Sequence, residues 1–282
     1  MDTAAIIAAA GAAALGGYAT CIEPFKIQVK ELELTFPDLP PAFDGYTILH
    51  LCDFHLTKMG RLERRAMQLI GDREVDTCMI TGDVTRHPRA SDVFRRVCSV
   101  IKHRDPIYMV LGNSERKPWL DPDTVIEALS FDGLTMLINS STTVQRGDDT
   151  ITLVGVDDPY SRRDDLESAF AHVDPHDFIV FLTHSPSITP QAIDRGADLI
   201  LSGHTHGGQV RLPFVRAFWT HMRANKALND GLYPPQRLES ILKTDPGHSV
   251  LLVNRGIGMS RLHARFLCPP EIAFITLRRP PQ

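Results

Sequence analysis

The 282-residue chain is 43% hydrophobic and 23% charged, and its formal net charge is -4. This length accommodates one large α/β domain, and the composition is typical of a globular protein. Because the slight negative charge provides no general basic field, we expect no nucleic-acid partner. The five cysteines are odd in number and widely separated, which argues against a disulfide framework or a CxxC zinc pair and favours free, buried thiols.

The amino terminus differs from the rest of the chain. Residues 3–22 contain no charged side chain and consist mainly of Ala, Gly, Ile and Leu, and about 20 apolar residues just span a bilayer. Asp2 is the only charged residue before the run, whereas Lys26 and Lys30 follow it, which favours an uncleaved anchor with the rest of the chain in the cytoplasm. We expect residues 1–24 to form a membrane anchor and residues 25–282 to form one folded domain. A cleaved signal peptide and a leader with neither role are the alternatives.

Strand-like and helix-like segments alternate after a strand-like stretch at residues 27–36. The predicted strands are residues 46–52, 77–81, 106–111, 178–182, 199–201, 250–253 and 272–277. The predicted helices are residues 62–70, 90–102, 164–171 and 190–195. The βαβαβ order predicts an α/β core with parallel strands, and short β-like runs within residues 134–156 make a second sheet plausible. Residues 278–282 are expected to be a solvated tail.

Side chains that can bind metals stand directly after five of these strands. They are Asp53, His55, Asp83, Asn113, His184, His204 and His206. The carboxyl ends of strands in an open α/β sheet share one edge, so these residues are expected to converge. Each short motif alone is commonly a surface turn or a core residue, but the complete ordered set predicts a metal site. Oxygen and nitrogen ligands without a thiolate fit Mn, Fe, Zn or Mg and argue against a structural zinc site.

The spacing within the motifs suits this chemistry. Asp53 and His55 are two residues apart, so in an extended chain both side chains point to the same side. Gly82 allows a sharp turn before Asp83, whose carboxylate is able to bridge two cations. Imidazoles at His204 and His206 have the same two-residue spacing within a glycine-rich turn.

This motif series resembles that of the calcineurin-like metallophosphoesterases. The resemblance covers most of the chain and implies a four-layer αββα sandwich of two mixed sheets, with two divalent metal ions, manganese being favoured. It implies that one cation is held by Asp53, His55, Asp83 and His206, and the other by Asp83, Asn113, His184 and His204. Asp83, Asn113 and His204 are the implied catalytic residues, and a metal-activated water is the implied nucleophile.

A narrower resemblance concerns the substrate. The last motif through Gln209, the Glu23-Pro24 pair after the apolar run and the closing strand with Arg265 resemble a membrane-linked bacterial branch of this superfamily. That branch includes phosphodiesterases and chlamydial-type UDP-2,3-diacylglucosamine pyrophosphatases, which implies a phosphodiester or pyrophosphate in a lipid-linked substrate at the bacterial inner membrane. A soluble substrate and a catalytically silent metal-binding scaffold are the alternatives. The candidate substrate-binding side chains are Arg116, Lys117 and Arg211.

Ser114 departs from the family pattern. The family usually has histidine after Gly-Asn and uses it to protonate the leaving group, a contribution of roughly 10²–10⁴-fold. One interpretation is a substrate whose leaving group needs little protonation, such as an anhydride, because a departing phosphate has a second pKa near ~6. Another is replacement of the histidine by a nearby group, with candidates at Glu115, Arg116, Lys117, His87 and His221. The third is the scaffold.

Residues 211–223 mix large apolar side chains, among them Phe218 and Trp219, with spaced arginines. They are interpreted either as a packed loop and helix or as a segment that meets lipid acyl chains and anionic head groups.

Overall fold

The computed structural model describes residues 2–213, 222 and 225–281. The lipid-facing interpretation of Phe218 and Trp219 and the candidate acid His221 lie outside these residues. The strands are β1 (Gln28–Thr35), β2 (Thr47–Leu51), β3 (Glu74–Val75), β4 (Thr77–Thr81), β5 (Lys102–His103), β6 (Ile107–Val110), β7 (Leu134–Met136), β8 (Ser140–Arg146), β9 (Asp149–Gly155), β10 (Ile179–Leu182), β11 (Leu199–Ser202), β12 (Gly231–Tyr233), β13 (Val250–Val253) and β14 (Glu271–Arg278).

The α-helices alternate with these strands through much of the chain. They are α1 (Thr3–Cys21), α2 (Arg61–Gly71), α3 (Ser91–Cys98), α4 (Pro122–Leu129), α5 (Leu166–Ala169), α6 (Thr189–Asp194) and α7 (Pro235–Leu242).

Two six-stranded mixed sheets form the centre of the fold. The first has the order β1-β14-β2-β4-β6-β7 and the second β12-β13-β11-β10-β9-β8. A core between the sheets contains residues of both, such as Ile48 and Met79 from the first and Val180 and Leu201 from the second. The confirmed two-sheet sandwich explains the runs of apolar residues in the strands, because a strand buried on both faces has no polar side.

The outer faces of the sheets are covered by helices. Apolar residues of α2, α3 and α4 pack with the outer side chains of the first sheet, including Leu49 and Ile80. Residues of α5, α6 and α7 pack on the second sheet around Phe181 and Leu251. The result is the predicted order of helix, sheet, sheet and helix.

Several local predictions were wrong. The helix expected at residues 90–102 ends at Cys98, and Lys102 pairs instead with Glu74 in the small sheet of β3 and β5. The parallel core predicted from the βαβαβ order is confirmed for β2, β4 and β6, and the antiparallel pairing of the last strand β14 with β2 makes this sheet mixed. Arg278 belongs to β14 and contacts Glu33 rather than starting a solvated tail.

Two helices were not predicted. Asp121 caps α4 by accepting the amide N–H of Thr124, and Pro122 occupies its first turn. This capping pattern is a recognisable start signal, but the helix has only eight residues, too few for a clear apolar period. The prolines before and at the start of α7 are a similar signal.

Helix α1 lies outside the core of the sandwich, because none of its residues is buried. It is long and apolar enough to cross a membrane, and its hydrophobic segment extends over Thr3–Phe25. The prediction that cysteines are buried is confirmed for Cys52, Cys78, Cys98 and Cys268 but was wrong for Cys21, which lies at the exposed end of this helix.

Candidate metal centre

The seven predicted ligands lie on loops that follow strands of both sheets. The loops after β2, β4 and β6 carry Asp53, His55, Asp83 and Asn113, and the loops after β10 and β11 carry His184, His204 and His206. Strands β2, β4 and β6 are parallel to one another, and so are β10 and β11. Each sheet therefore presents its loops at one edge, and the two edges meet at a single site.

Asp53, His55 and His206 form one group of side chains. Nε2 of His206 lies 3.0 Å from Nε2 of His55 and 3.4 Å from Oδ1 of Asp53. The two imidazole rings are stacked, with their centroids 5.0 Å apart. One ligand atom from each side chain falls within a group only 4.8 Å across, so the three can bind a common cation.

Asp83 lies between this group and the histidines of the second sheet. Its Oδ1 is 3.4 Å from Nε2 of His184, while its Oδ2 is 3.5 Å from Nε2 of His55. Nε2 of His184 is also 3.0 Å from Nδ1 of His204. The carboxylate of Asp83 thus directs one oxygen to each group, which is the geometry that a bridging ligand requires.

Asn113 lines the same cavity as Asp83, His204 and His206. The glycine before it permits this approach: a Cβ on Gly112 would stand 2.4 Å from Oδ1 of Asp83. Four of the seven predicted ligands thus line this cavity, and the other three, Asp53, His55 and His184, belong to the side-chain groups beneath it.

Five of these seven residues have a left-handed backbone. They are Asp53 (φ 51°), His55 (φ 49°), Asp83 (φ 53°), His204 (φ 70°) and His206 (φ 49°). In residues other than glycine this conformation is uncommon and costs on the order of 1–3 kcal/mol each. Glycine would remove the strain but would also remove the side chain, so the chain keeps strained residues where their functional groups converge.

Gly203 allows the two sheets to approach at the site. A Cβ at this position would meet Oδ2 of Asp53 at 2.4 Å and Sγ of Cys52 at 2.7 Å. The amide N–H of His204 donates to the same Oδ2 at 2.9 Å, which orients the Asp53 carboxylate. Only a residue without a side chain permits this contact.

Hydrogen bonds behind the site set the orientation of His184. Its Nδ1 lies 2.8 Å from the carbonyl oxygen of Thr81, an acceptor, so Nδ1 carries the proton and donates it. Nε2 is therefore the nitrogen that is directed at Asp83 and His204. A backbone acceptor behind a ligand histidine is the usual support of a metal site.

Ser114 is fully buried and lies behind the site. Its amide N–H donates to Oδ1 of Asp83 at 2.6 Å, and its hydroxyl is 3.3 Å from Nδ1 of His55. Glu115 is also buried, and its carboxylate accepts the amide N–H groups of Asp83, Thr85 and Gly112. Both residues therefore support the loops that carry the ligands.

Burial and neighbouring charges perturb the titration of the cluster. Burial raises the pKa of Asp53 to about 6 and lowers the pKa of His55 to about 4. Burial alone would lower the pKa of His184, but the carboxylates of Asp83 and Asp53 outweigh it and raise the pKa to about 9. Burial acts to raise the pKa of Asp83, but the imidazoles of His184 and His55 outweigh it and hold the pKa well below its usual range.

The donor set fits a divalent cation. Oδ1 of Asp53 is buried and accepts no hydrogen bond from the residues that the structure describes. A buried carboxylate oxygen without a donor is costly unless a cation compensates it. Carboxylate, imidazole and amide ligands are those that Mn, Fe and Zn accept.

The cavity above the cluster has a basic rim. Lys117, one of the predicted substrate-binding residues, lines it together with Arg86, Arg261 and Tyr160. These last three were not predicted, although Tyr160 shares the signal of the metal ligands because it belongs to the loop that follows β9. A second cavity of about 530 Å³ adjoins the first through Lys117, Tyr160 and Asn113.

The other two predicted substrate-binding residues have protein partners. Arg116 is largely buried and donates from Nε and Nη2 to the carboxylate of Asp157. Arg211 donates from Nε to the Gly207 carbonyl and lies 2.8 Å from Asp230. Arg116 lines the second cavity, so its role in substrate binding stays a prediction.

A four-layer sandwich with carboxylate, imidazole and amide side chains gathered at its strand ends has the arrangement expected of a metal-dependent hydrolase. The calcineurin-like phosphoesterase family matches residues 46–208, and the chain belongs to this family. The predicted membership and the enzyme class are both confirmed. Members of the family use divalent metals.

Three curated relatives are similar to the chain. It is 29% identical to the uncharacterized metallophosphoesterase YkuE of Bacillus subtilis (strain 168), covering 96% of this chain and 93% of the relative. It is 28% identical to phosphodiesterase YaeI of Escherichia coli (strain K12), with 82% of each chain covered. It is 31% identical to UDP-2,3-diacylglucosamine pyrophosphatase LpxG of Chlamydia trachomatis, over 50% of this chain and 40% of that protein.

Proposed function

We propose that the chain hydrolyses a phosphodiester or pyrophosphate bond with two divalent cations, of which manganese is the favoured metal. The observation that carries this proposal is the position of Asp83, with its two carboxylate oxygens directed at separate groups of histidines. Two divalent cations bound there would lower the pKa of a bound water and neutralise phosphate oxygens. Asp53, His55, Asp83 and His206 would hold one, and Asp83, Asn113, His184 and His204 would hold the other.

The residues around the cavity bind the substrate. Lys117, Arg86 and Arg261 at the rim supply positive charge for a phosphate group above the cluster. The adjoining cavity of about 530 Å³ combines the basic Lys117 and Arg163 with the apolar Leu120 and prolines. This combination supports a substrate with a sizeable group attached to its phosphate rather than inorganic phosphate alone.

The environment of Ser114 supports a substrate with a stable leaving group. Its hydroxyl faces His55 and has no access to solvent, so it is not placed to protonate a departing oxygen. Glu115 is occupied by three backbone amides. A phosphate leaving group departs as an anion near neutral pH, whereas an alkoxide needs a proton, and we therefore favour an anhydride or activated diester.

Helix α1 and the partial similarity to LpxG support a lipid-linked substrate at a membrane, a UDP-diacylglucosamine-like compound being the favoured example. The alternatives are a soluble diester or monoester and a scaffold that binds metals without catalysis. Retention of the complete ligand set favours an enzyme over the scaffold.

Turnover of a generic chromogenic diester with added Mn²⁺ tests the catalytic proposal. Asp83→Asn and His204→Ala should each lower turnover by at least about 1000-fold, because metal coordination supplies several kcal/mol of transition-state stabilisation. His248→Ala is the matched control, since this exposed histidine precedes β13 at the opposite end of the sheet. Turnover by Asp83→Asn and His204→Ala equal to that of the His248→Ala control would contradict the proposal.

A comparison of UDP-diacylglucosamine with alkyl phosphodiesters and monoesters on the same preparation tests the substrate. The pyrophosphate should be cleaved faster than the alkyl esters, because its leaving group needs no general acid. Faster cleavage of an alkyl monoester would overturn the leaving-group argument. A lack of turnover on all substrates with two bound metals would favour the scaffold.

A further inference from the structure

The carboxyl-terminal end of α1 is attached to the folded domain rather than free. The carbonyl of Ala19 accepts the amide N–H of Arg265 at 2.8 Å, and the ring of Tyr18 packs edge-on against Phe266. Just after the helix, Glu23 is 2% exposed and accepts the amide N–H of Cys268 at 2.5 Å. These contacts fix the end of the helix to residues 265–268.

The same segment contacts the metal centre on its other side. Sγ of Cys268 lies 3.2 Å from the carbonyl oxygen of His206. The fully buried guanidinium of Arg265 donates to the carbonyls of Gly256 and Gly258 and is 3.5 Å from Nδ1 of His206. Residues 265–268 therefore lie between the end of α1 and a proposed metal ligand.

Exposed apolar side chains are concentrated around this attachment. Among the described residues outside the helix itself, four of the five large apolar side chains that are exposed lie here: Ile22, Leu212, Leu262 and Leu267. Leu267 lies within the attached segment and Leu262 lies three residues before it. Leu212 follows Arg211, whose amide N–H donates to the Phe266 carbonyl. We call these four residues the apolar collar.

The collar also adjoins the mouth of the metal cavity. Ser260 and Arg261 line that cavity, and Leu262 is the next residue. The cation of Lys26 lies 5.2 Å from the ring of Tyr18, so a basic group and an aromatic group stand together at the end of the apolar helix. Aromatic and basic residues are typical of the level of the lipid head groups.

We infer that the apolar collar inserts into the bilayer interface at the point where α1 enters the membrane. Its occupant is the lipid surface, because the collar is continuous with the apolar helix through Ile22, and its segment is held to the helix by the hydrogen bond from the Arg265 N–H to the Ala19 carbonyl. Side chains of this kind insert about 5–10 Å, at the boundary of head groups and acyl chains. The metal cavity then opens beside the head groups, and substrate reaches it along the membrane surface. The inference rests on the proposed membrane association of α1 and does not depend on catalysis.

Depth-dependent quenching of the full-length chain in phosphatidylcholine and phosphatidylglycerol vesicles tests the inference. In a Cys21→Ser background, Leu262→Cys and Leu267→Cys carry a fluorophore, and lipids brominated near the top of the acyl chain act as quenchers. Both positions should lose about half of their emission at this depth. Asp148→Cys, in the exposed turn at the opposite end of the second sheet, should lose almost none. Equal emission with and without brominated lipid at Leu262 and Leu267 would overturn the inference.

A second variant separates the collar from the active site. Leu262→Asp with Leu267→Asp should lower turnover of a diester embedded in vesicles by about tenfold, because interfacial insertion is lost, and should leave turnover of a soluble diester unchanged. Quenching at Leu262→Cys and Leu267→Cys without turnover of any substrate would support insertion of the collar into the membrane and contradict the proposed hydrolase activity. An equal loss of turnover on the embedded and the soluble diester would contradict the inference that the collar acts by inserting into the membrane.

Discussion

The Ser114 hydroxyl lies 3.3 Å from Nδ1 of His55, on the side of the ring away from the cluster. If it accepts the Nδ1 proton, Nε2 of His55 keeps its lone pair toward Asp83 and His206. A residue at the position of the missing acid then acts as a support for a proposed ligand. This role also accounts for its complete burial.

We expect Ser114→Ala to weaken Mn²⁺ binding and diester turnover by about tenfold, the usual effect of removing a group that orients a ligand histidine. Titration calorimetry measures the binding. Ser240→Ala, which removes a hydroxyl from the exposed surface of α7, is the control and should have no effect. A Ser114→Ala protein that binds and hydrolyses like the control would show that the hydroxyl does not orient His55.

His184 should make metal binding depend on pH. Without metal its pKa is raised to about 9 by Asp83 and Asp53 against the opposing effect of burial, so at pH 7 a cation must displace its proton. Mn²⁺ affinity should therefore rise about tenfold per pH unit between pH 6.5 and 9 and level off above that range. His55, whose pKa is lowered to about 4, carries no competing proton there.

Calorimetry in two buffers of different ionisation enthalpy measures this proton. When Mn²⁺ binds at pH 7.5, each protein molecule should release about one proton, and above pH 9 it should release fewer. Affinity that does not change from pH 6.5 to 9 would mean that His184 is already neutral in the metal-free protein.

At the scale of elements, the strands were predicted more accurately than the helices. Residues 77–81 and 250–253 were predicted with the observed bounds, because a short apolar run between polar turns has few alternatives. The helices α4 and α7, of eight residues each, carry too little periodicity to be recognised. The resemblance implied mixed sheets, but the residue pattern did not specify which strand β14 pairs with, because that pairing joins residues more than 200 positions apart.

Residue chemistry located the proposed ligands because each follows a strand, whereas the cavity rim was harder to predict. Arg86 and Arg261 lie on irregular loops that only the folded chain brings together. The left-handed backbone of Asp53 and His206 likewise has no counterpart in the sequence pattern, because glycine is the usual marker of that conformation.

Gly203→Ala should disrupt the junction of β11 with the Asp53 loop. Its methyl group would stand 2.4 Å from Oδ2 of Asp53, and such overpacking costs about 1–3 kcal/mol. We expect a lower Tm and loss of tight Mn²⁺ binding. In Gly71→Ala, at the end of α2, the added Cβ would lie 3.6 Å from Val100. That control should be neutral or stabilising by up to about 1 kcal/mol. Equal Tm and Mn²⁺ affinity in the two variants would show that the Asp53 loop adjusts.

At the scale of the whole molecule, the two large sheets carry the ligand-bearing loops, and these loops meet at one edge of the sandwich. Asp53 and Asp83 come from the first sheet, and His184 and His206 from the second. At that edge, the hydrogen bond from the His204 amide N–H to the Asp53 carboxylate also joins the two sheets. Cations held by ligands of both sheets would add cross-links that the unfolded chain lacks.

Metal binding should therefore stabilise the entire domain. Free Mn²⁺ at 100 times its Kd adds about 2.7 kcal/mol to the free energy of unfolding, which for a chain of this size raises Tm by about 5 °C. A chelator should reverse the increase, and His204→Ala should show much less of it, whereas His248→Ala should keep it in full. Differential scanning calorimetry over a Mn²⁺ series measures the change. A Tm that does not depend on Mn²⁺ in the unaltered chain would show that the cluster does not couple the two sheets through a cation.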